Sequence, residues 1–138
     1  MKSDNGTMFP SLKYSDASAA IDWLCKVLQF EKKLVVPGPA DTIAHAQLTL
    51  GSGMIMLGSQ DDSEYGKHIR SPKFLNNINT QTTYIYIDKI DQHFENAKSQ
   101  DAEIIIALRE EPYGGKHYMC RDPEGHLWSF GSYDPLSD

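Results

Sequence analysis

The feature that most constrains the fold is an order of predicted elements that occurs twice along the chain. Apolar periodicity predicts a strand, a helix and three further strands over residues 8–58, and the same order over residues 82–133. Asp16 and Asp88, which follow the first strand of each unit, lie 72 residues apart. Mixed sheets with helices on one face follow from this order. We therefore predict an α+β fold in which two β-α-β-β-β modules form a curved mixed sheet with helices on the convex side.

Alternation within the strands separates a core face from a second face. In residues 42–50 the alanines and leucines occupy one set of alternate positions, whereas His45 and Gln47 belong to the other set. The apolar set is predicted to pack under the helices, the first of which begins after Ser15 or Asp16 as its N-cap. The second face is left free to curve around a ligand.

Two polar segments are predicted to be loops. Residues 59–79 connect the modules, and we interpret them as a linker that can also cover a cavity. Residues 110–116 contain two glutamates and a Gly-Gly pair, and they lack the strand-to-helix context of a phosphate-binding loop. We expect this second segment to be a solvated loop at the cavity mouth.

Length and charge exclude several classes of function. The 138 residues match one domain, which we assign to residues 8–133. A net charge of −6 without a Lys/Arg cluster argues against a nucleic-acid partner. No apolar run approaches the ~20 residues of a membrane span, and the first residues show no apolar signal segment. Cys25 and Cys120 have no CxxC partner, so we expect reduced thiols and a cytoplasmic protein.

The paired modules and the segment Asp122-Pro123-Glu124-Gly125-His126 resemble the vicinal oxygen chelate superfamily. This superfamily includes glyoxalase I, extradiol dioxygenases, fosfomycin-resistance enzymes and bleomycin-resistance proteins. Residues 12–17, 44–48 and 125–128 are most similar to its PhnB-like branch. The resemblance implies the same fold over residues 8–133 and a homodimer, because the family commonly completes its cavities by pairing modules within or between chains.

The resemblance also implies where a metal would be held. The family's metalloenzymes use four side chains, two from each module, and the matching positions here are Phe9, Met56, Thr82 and Ser129. A divalent first-row ion prefers imidazole, carboxylate or thiolate ligands, and none of these four residues supplies one. We therefore expect no metal and no other cofactor.

The second face of the sheet supplies a predicted ligand-binding wall. It combines aromatic and apolar side chains with a few neutral polar groups, as pockets for small organic molecules do. Tyr84 and Tyr86 could instead fill a closed core or a dimer interface. The predicted ligand-binding residues are Phe9, Ser11, His45, Gln47, Met56, Thr82, Tyr84, Tyr86 and Ser129.

Two of the five histidines have a possible chemical role. His45 shares the second face with Gln47, where it is either a hydrogen-bonded wall residue or a general base, because imidazole titrates near neutral pH. His117 could join it from the second module. His93 is predicted to be a half-exposed residue of the second helix.

The sequence favours a binding protein over an enzyme. The first hypothesis is a metal-free protein resembling bleomycin-resistance proteins, which sequesters a cationic or aromatic compound; the acidic charge suits a cationic ligand through electrostatic steering. The alternative is a glyoxalase-like lyase or isomerase, or a dioxygenase-related enzyme of unknown substrate, with His45 as its base. A third class, a regulatory module with a filled cavity, would bind no small molecule.

Overall fold

The computed structural model describes residues 6–137 as eight strands and two helices, with three short 3₁₀ turns. The first module comprises β1 (Ser11–Tyr14), α1 (Ala17–Val27), β2 (Glu31–Pro37), β3 (Ile43–Leu50) and β4 (Gly53–Ser59). The second comprises β5 (Thr83–Tyr86), α2 (Ile90–Ser99), β6 (Glu103–Glu110), β7 (Lys116–Arg121) and β8 (Leu127–Gly131). No helix in this part of the chain is long and apolar enough to cross a membrane.

Each module forms one four-stranded mixed sheet. The strand orders are β1-β4-β3-β2 and β5-β8-β7-β6, with a single parallel pairing in each, between its first and last strands. The remaining pairings are antiparallel. The predicted α+β fold of two β-α-β-β-β modules is thereby confirmed.

The two helices are amphipathic, and each is followed by a left-handed residue. At the start of α1, the Asp16 carboxylate caps the helix by accepting from the backbone N–H of Ala19 at 3.1 Å. Gln29 and Asp101, just beyond the two helices, have φ values of 67° and 63°. These left-handed residues lie 72 positions apart and turn the chain back towards the next strand.

One hydrophobic core lies between the two sheets and joins the modules. The Phe30 ring meets the Trp128 ring edge-on, at 5.7 Å between centroids. Asn96 of α2 donates to the Val27 carbonyl at the end of α1, at 3.0 Å. The helix-bearing sides of the two modules therefore face each other. The opposite side of each sheet, here called its outer face, points away from the shared core, and the sheets are not continuous within one copy.

His93 is buried between the modules, so the prediction of a half-exposed helix residue was wrong. Its exposed fraction is 3 %. His93 Nε2 donates to the Leu28 carbonyl at 3.0 Å, and Nδ1 accepts from the Tyr118 hydroxyl at 2.7 Å. Burial lowers the pKa of this imidazole, because a charged ring would lose its hydration. The sequence of one helix could not reveal that a second module covers this position.

The segment between β4 and β5 packs against the second module. Ser71 is fully buried, and its hydroxyl donates to a Glu124 carboxylate oxygen at 2.8 Å. Asn79 donates to the Gly125 carbonyl at 2.9 Å and accepts from the Leu127 N–H at 3.1 Å. These contacts hold the linker on the turn between β7 and β8.

Candidate functional site

The outer face of the first sheet carries most of the residues predicted there. Ser11 pairs with Met56, which pairs with Gln47, and Gln47 pairs with Leu34. The strand period of two puts these side chains on one face, because the buried partners Ala46 and Leu57 occupy the alternate positions. Phe9 precedes β1 and is 44 % exposed.

His45 lies on the same face and contacts Gln47. Gln47 Nε2 is 3.1 Å from His45 Nε2. An amide nitrogen can only donate, so His45 Nε2 is the acceptor and the ring proton is on Nδ1. This arrangement positions the ring and leaves Nδ1–H as its free donor. It suits a ligand contact better than proton abstraction, because the basic nitrogen is already engaged.

The outer face of the second sheet has two parallel rows of residues. Tyr84 pairs with Ser129, and Ser129 pairs with Met119. In the next row Tyr86 pairs with Gly131, and Gly131 pairs with His117. The fourth predicted residue of this module, Thr82, immediately precedes β5.

The Tyr84 side chain crosses from one row to the other. Its hydroxyl donates to the Tyr133 carbonyl at 2.6 Å, and its ring lies over Gly131, where any Cβ would collide with the phenol. Partial burial of the ring raises the pKa of the Tyr84 hydroxyl. Glycine at position 131 therefore allows an aromatic ring to lie flat on this part of the sheet.

The nine predicted ligand residues do not meet within one copy of the chain. Five belong to the first module and four to the second, and both outer faces point away from the common core. Among residues 6–137, no hydrogen bond or ion pair connects the two sets. A single copy therefore presents two half-walls rather than one enclosed cavity.

The four positions that correspond to the family's metal ligands do not suit a divalent cation. Phe9 has no donor atom, Met56 offers a soft thioether, and Thr82 and Ser129 offer neutral hydroxyls. Within the described part of the chain, no three His, Cys, Asp or Glu side chains are arranged to hold a metal ion. The residues therefore do not fit the metal that the fold family implies, and no chemistry is assigned to one.

A charged cluster on the second sheet was not predicted. Glu111 belongs to the segment expected to be a solvated loop, yet its side chain is only 11 % exposed. Its Oε2 lies 3.1 Å from Arg109 Nε and 3.3 Å from His117 Nδ1. Strand alternation could have placed His117 on the outer face. The position of Glu111 depends on the hairpin between β6 and β7, which the sequence pattern does not specify.

A buried polar junction also escaped prediction. Asp122 accepts from the Tyr14 hydroxyl at 2.6 Å and from the Trp128 indole N–H at 3.0 Å. Glu124 accepts from the backbone N–H groups of Ser15 and Asp16 at 2.7 and 2.8 Å. Both carboxylates of the turn therefore bind the first module. The recognisable Asp-Pro-Glu-Gly turn is a structural clamp.

Two clefts lie beside this junction. One, of about 200 Å³, lies between Trp23, residues 101–103 and Arg121, and the other, of about 50 Å³, lies between Ala19 and Trp23 of α1 and the turn residues 122–124. Both include Pro123 in their walls. Neither is lined by any of the nine predicted ligand residues.

Comparison with known proteins identifies relatives along nearly the whole chain. Residues 11–130 match the family described as the Glyoxalase/Bleomycin resistance protein/Dioxygenase superfamily. The Mycobacterium bovis protein Mb0911c is 29 % identical over 122 residues, which cover 88 % of this chain and 80 % of that protein.

Solved structures share the same architecture. TioX from Micromonospora sp. ML1 superposes with a TM-score of 0.71 and 27 % identity, covering 92 % of this chain and 98 % of TioX. The fosfomycin resistance protein FosX from Listeria monocytogenes, solved with Mn(II) and a dihydroxypropylphosphonic acid, has a TM-score of 0.65. It is 14 % identical, with 98 % of this chain and 94 % of FosX covered, so this likeness concerns the fold alone.

Proposed function

Because the chain belongs to the Glyoxalase/Bleomycin resistance protein/Dioxygenase superfamily, we propose that it is a metal-free protein that binds and sequesters a small aromatic compound. The ligand-binding surface is the pair of outer faces. Within the superfamily we place the chain in the PhnB-like branch, with a function resembling that of bleomycin-resistance proteins. The two free cysteines, Cys25 and Cys120, are consistent with a cytoplasmic location.

The main support is the exposure of apolar and aromatic side chains on both outer faces. Leu34 and Val36 of the first sheet are 43 % and 39 % exposed, and Tyr84 and Tyr86 of the second are 37 % and 43 % exposed. Contiguous apolar surface of this kind marks a binding or association surface. The neighbouring Gln47 amide can fix the orientation of a ligand by hydrogen bonding, whereas Ser129 is only 6 % exposed in one copy.

A second copy of the chain would complete the site. One copy leaves its two half-walls on different sides of the molecule, so neither can enclose a ligand alone. In a homodimer, the first sheet of one protomer can face the second sheet of its partner. Two equivalent cavities would result, and the exposed tyrosines would be covered.

The local chemistry supports an aromatic ligand more strongly than a cationic one. The nine predicted ligand residues include no carboxylate that could pair with a cation. A preference for cations rests on the overall charge of −6, which favours encounter with positive molecules rather than a specific contact. Stacking on Tyr84 or Tyr86 is the more direct source of affinity.

The enzymatic alternative depends on His45. For His45 to act as a base, Gln47 would have to present its amide oxygen to Nε2–H, which would free the lone pair of Nδ1. The 3.1 Å contact is compatible with that arrangement after rotation of the amide group. An enzyme would convert its ligand, whereas a sequestering protein would release it unchanged.

Mass measurement and ligand recovery test the proposal. Protein freed of metal by chelation is examined by light scattering and titrated with 4-nitroanisole and with benzyltrimethylammonium, and the ligand is recovered and analysed. We expect a dimer, saturable binding of the neutral aromatic compound and unchanged ligand. Tyr86→Ala should weaken binding about tenfold through the loss of aromatic contact.

Phe74→Ala is the matched control. Phe74 is also an exposed aromatic residue, 56 % exposed, but it lies in a 3₁₀ turn of the linker and belongs to neither sheet. Its removal should leave affinity unchanged. A monomer, absence of aromatic binding, conversion of the ligand, or near-stoichiometric metal required for stability would contradict the proposal.

A further inference from the structure

Arg109, Glu111 and His117 form a cluster on the outer face of the second sheet. Arg109 and His117 are register partners on β6 and β7, and Glu111 follows β6 directly. The Glu111 carboxylate lies between the other two groups, 3.1 Å from Arg109 Nε and 3.3 Å from His117 Nδ1. The cluster lies on the same outer face as the proposed ligand surface.

The two nitrogens of His117 have different surroundings. The side chain is 12 % exposed, and Nδ1 is fully buried without a hydrogen bond of acceptable geometry, although Glu111 Oε2 is close. A carboxylate can only accept, so this neighbour favours a proton on Nδ1. Nε2 then carries the lone pair. Within residues 6–137, Nε2 has no hydrogen-bond partner and is not fully buried.

An aromatic surface adjoins this free nitrogen. His117 is the register partner of Gly131, and Gly131 is covered by the ring of Tyr84. Tyr86 pairs with Gly131 from the other side. An aromatic ring stacked beside Tyr84 could therefore direct a substituent at His117 Nε2.

His45 provides an internal comparison. It lies 72 residues before His117, at the corresponding place in the first module. Its Nε2 contacts the neutral amide of Gln47, whereas His117 has a carboxylate behind Nδ1. On the outer face of the first module, the basic nitrogen of His45 is therefore engaged by Gln47. On the outer face of the second module, the basic nitrogen of His117 is free.

We propose that Glu111 and His117 form a proton-accepting dyad that selects aromatic compounds bearing an acidic hydroxyl group. This inference rests on the proposed aromatic binding function. The ligand O–H bond breaks, and its proton moves to His117 Nε2, which leaves a phenolate and an imidazolium. The negative charge of Glu111 stabilises the imidazolium through Nδ1–H. Arg109 holds the carboxylate in place.

The probe for this dyad is 4-nitrophenol, because its ionised form absorbs visible light. The comparison compound, 4-nitroanisole, has the same ring without the acidic proton. At a pH where free 4-nitrophenol is mostly neutral, the wild-type protein should increase the phenolate absorbance as it binds. It should also bind 4-nitrophenol about tenfold or more tightly than 4-nitroanisole, as expected for one charge-assisted hydrogen bond.

Variants assign the effect to the dyad. His117→Gln should remove the absorbance increase and the preference for 4-nitrophenol, and Glu111→Gln should remove the absorbance increase. His68→Gln is the control, because His68 is an exposed histidine of the linker and is not one of the predicted ligand residues, and it should retain the increase. The comparison of the two compounds in the wild-type protein requires no variant to fold.

The outcomes separate this proposal from the one on which it rests. Equal binding of both compounds without ionisation overturns the dyad and leaves aromatic binding intact. Failure of both compounds to bind overturns both proposals. An absorbance increase that persists in His117→Gln also overturns the dyad, because another group must then accept the proton.

Discussion

Glu124→Gln should strongly weaken the junction between the modules. The Glu124 side chain is 6 % exposed, and its Oε1 accepts from the Ser15 N–H and the Ser71 hydroxyl. Its Oε2 accepts from the Asp16 N–H at 2.8 Å. Glutamine has nearly the same shape, so the substitution tests charge and hydrogen bonding rather than packing.

The magnitude follows from the three hydrogen bonds. A glutamine oxygen in the Oε1 position retains two of them, but its NH₂ group then opposes the Asp16 N–H. One charge-assisted hydrogen bond is lost, and a bond of this kind contributes ~1.5–3 kcal/mol. The Asp16 N–H is also left without a partner. The other two bonds lose the charge of their acceptor. We expect the free energy of unfolding to fall by about 2–4 kcal/mol at pH 7.

The effect should depend on pH in a defined direction. Burial alone would raise the pKa of Glu124, but the N–H groups of Ser15 and Asp16 and the Ser71 hydroxyl hold it below its ordinary value of 4.5. A folded-state pKa below the unfolded one stabilises the protein above about pH 4.5, and this contribution disappears as pH falls through the folded value. The difference between wild type and Glu124→Gln should therefore shrink in acid.

Urea unfolding at one protein concentration, at pH 7 and at about pH 3, measures both effects. Glu95→Gln is the control, because Glu95 is exposed on α2 and its loss should change stability by less than ~0.5 kcal/mol. A change in Glu124→Gln as small as that of the control would refute the clamp. An equally large difference at both pH values would refute the role of the charge.

Three further perturbations have definite expected results. Gly131→Ala should destabilise the protein by about 0.5–1.5 kcal/mol in thermal unfolding, because the new Cβ displaces the Tyr84 phenol and breaks its hydrogen bond to the Tyr133 carbonyl. An unchanged melting temperature would contradict that packing. Stability should fall as pH drops below about 6.5, because the lowered pKa of His93 means that the unfolded chain binds the proton more readily than the folded protein does. The slope of stability against pH should flatten in His93→Gln. An unaltered slope would exclude the imidazole as its source. In a Cys25→Ser variant, the remaining thiol should resist a disulfide reagent until the protein unfolds, because burial raises the pKa of Cys120 to about 12; rapid labelling of native protein would count against this burial.

The fold could be predicted because its signals are local. Strand alternation in β3 separates Ala46 and Leu48 from His45 and Gln47, and the structure buries the first pair. The N-cap at Asp16 is likewise a short-range pattern. The duplicated order then specified two equivalent modules, and the matching left-handed residues after both helices agree with that duplication.

The candidate site could be predicted only in part. Register pairs Ser11 with Met56 and Tyr84 with Ser129, as expected for residues sharing a face. The ligand role of the predicted residues stays a prediction. The burial of Glu111 was not foreseen, because it depends on contacts formed after the hairpin folds.

The sequence by itself determined the two modules, the core and outer faces of their strands, and the residue types at the family's metal-ligand positions. These properties follow from periodicity and side-chain chemistry within short stretches of chain. The tertiary structure alone decided that the helix-bearing sides share one core and that both outer faces point away from it. It also decided which buried group meets which, as when Glu124 binds the start of α1 more than a hundred residues earlier in the chain. Such long-range pairings depend on how two complete modules pack, which no local pattern encodes.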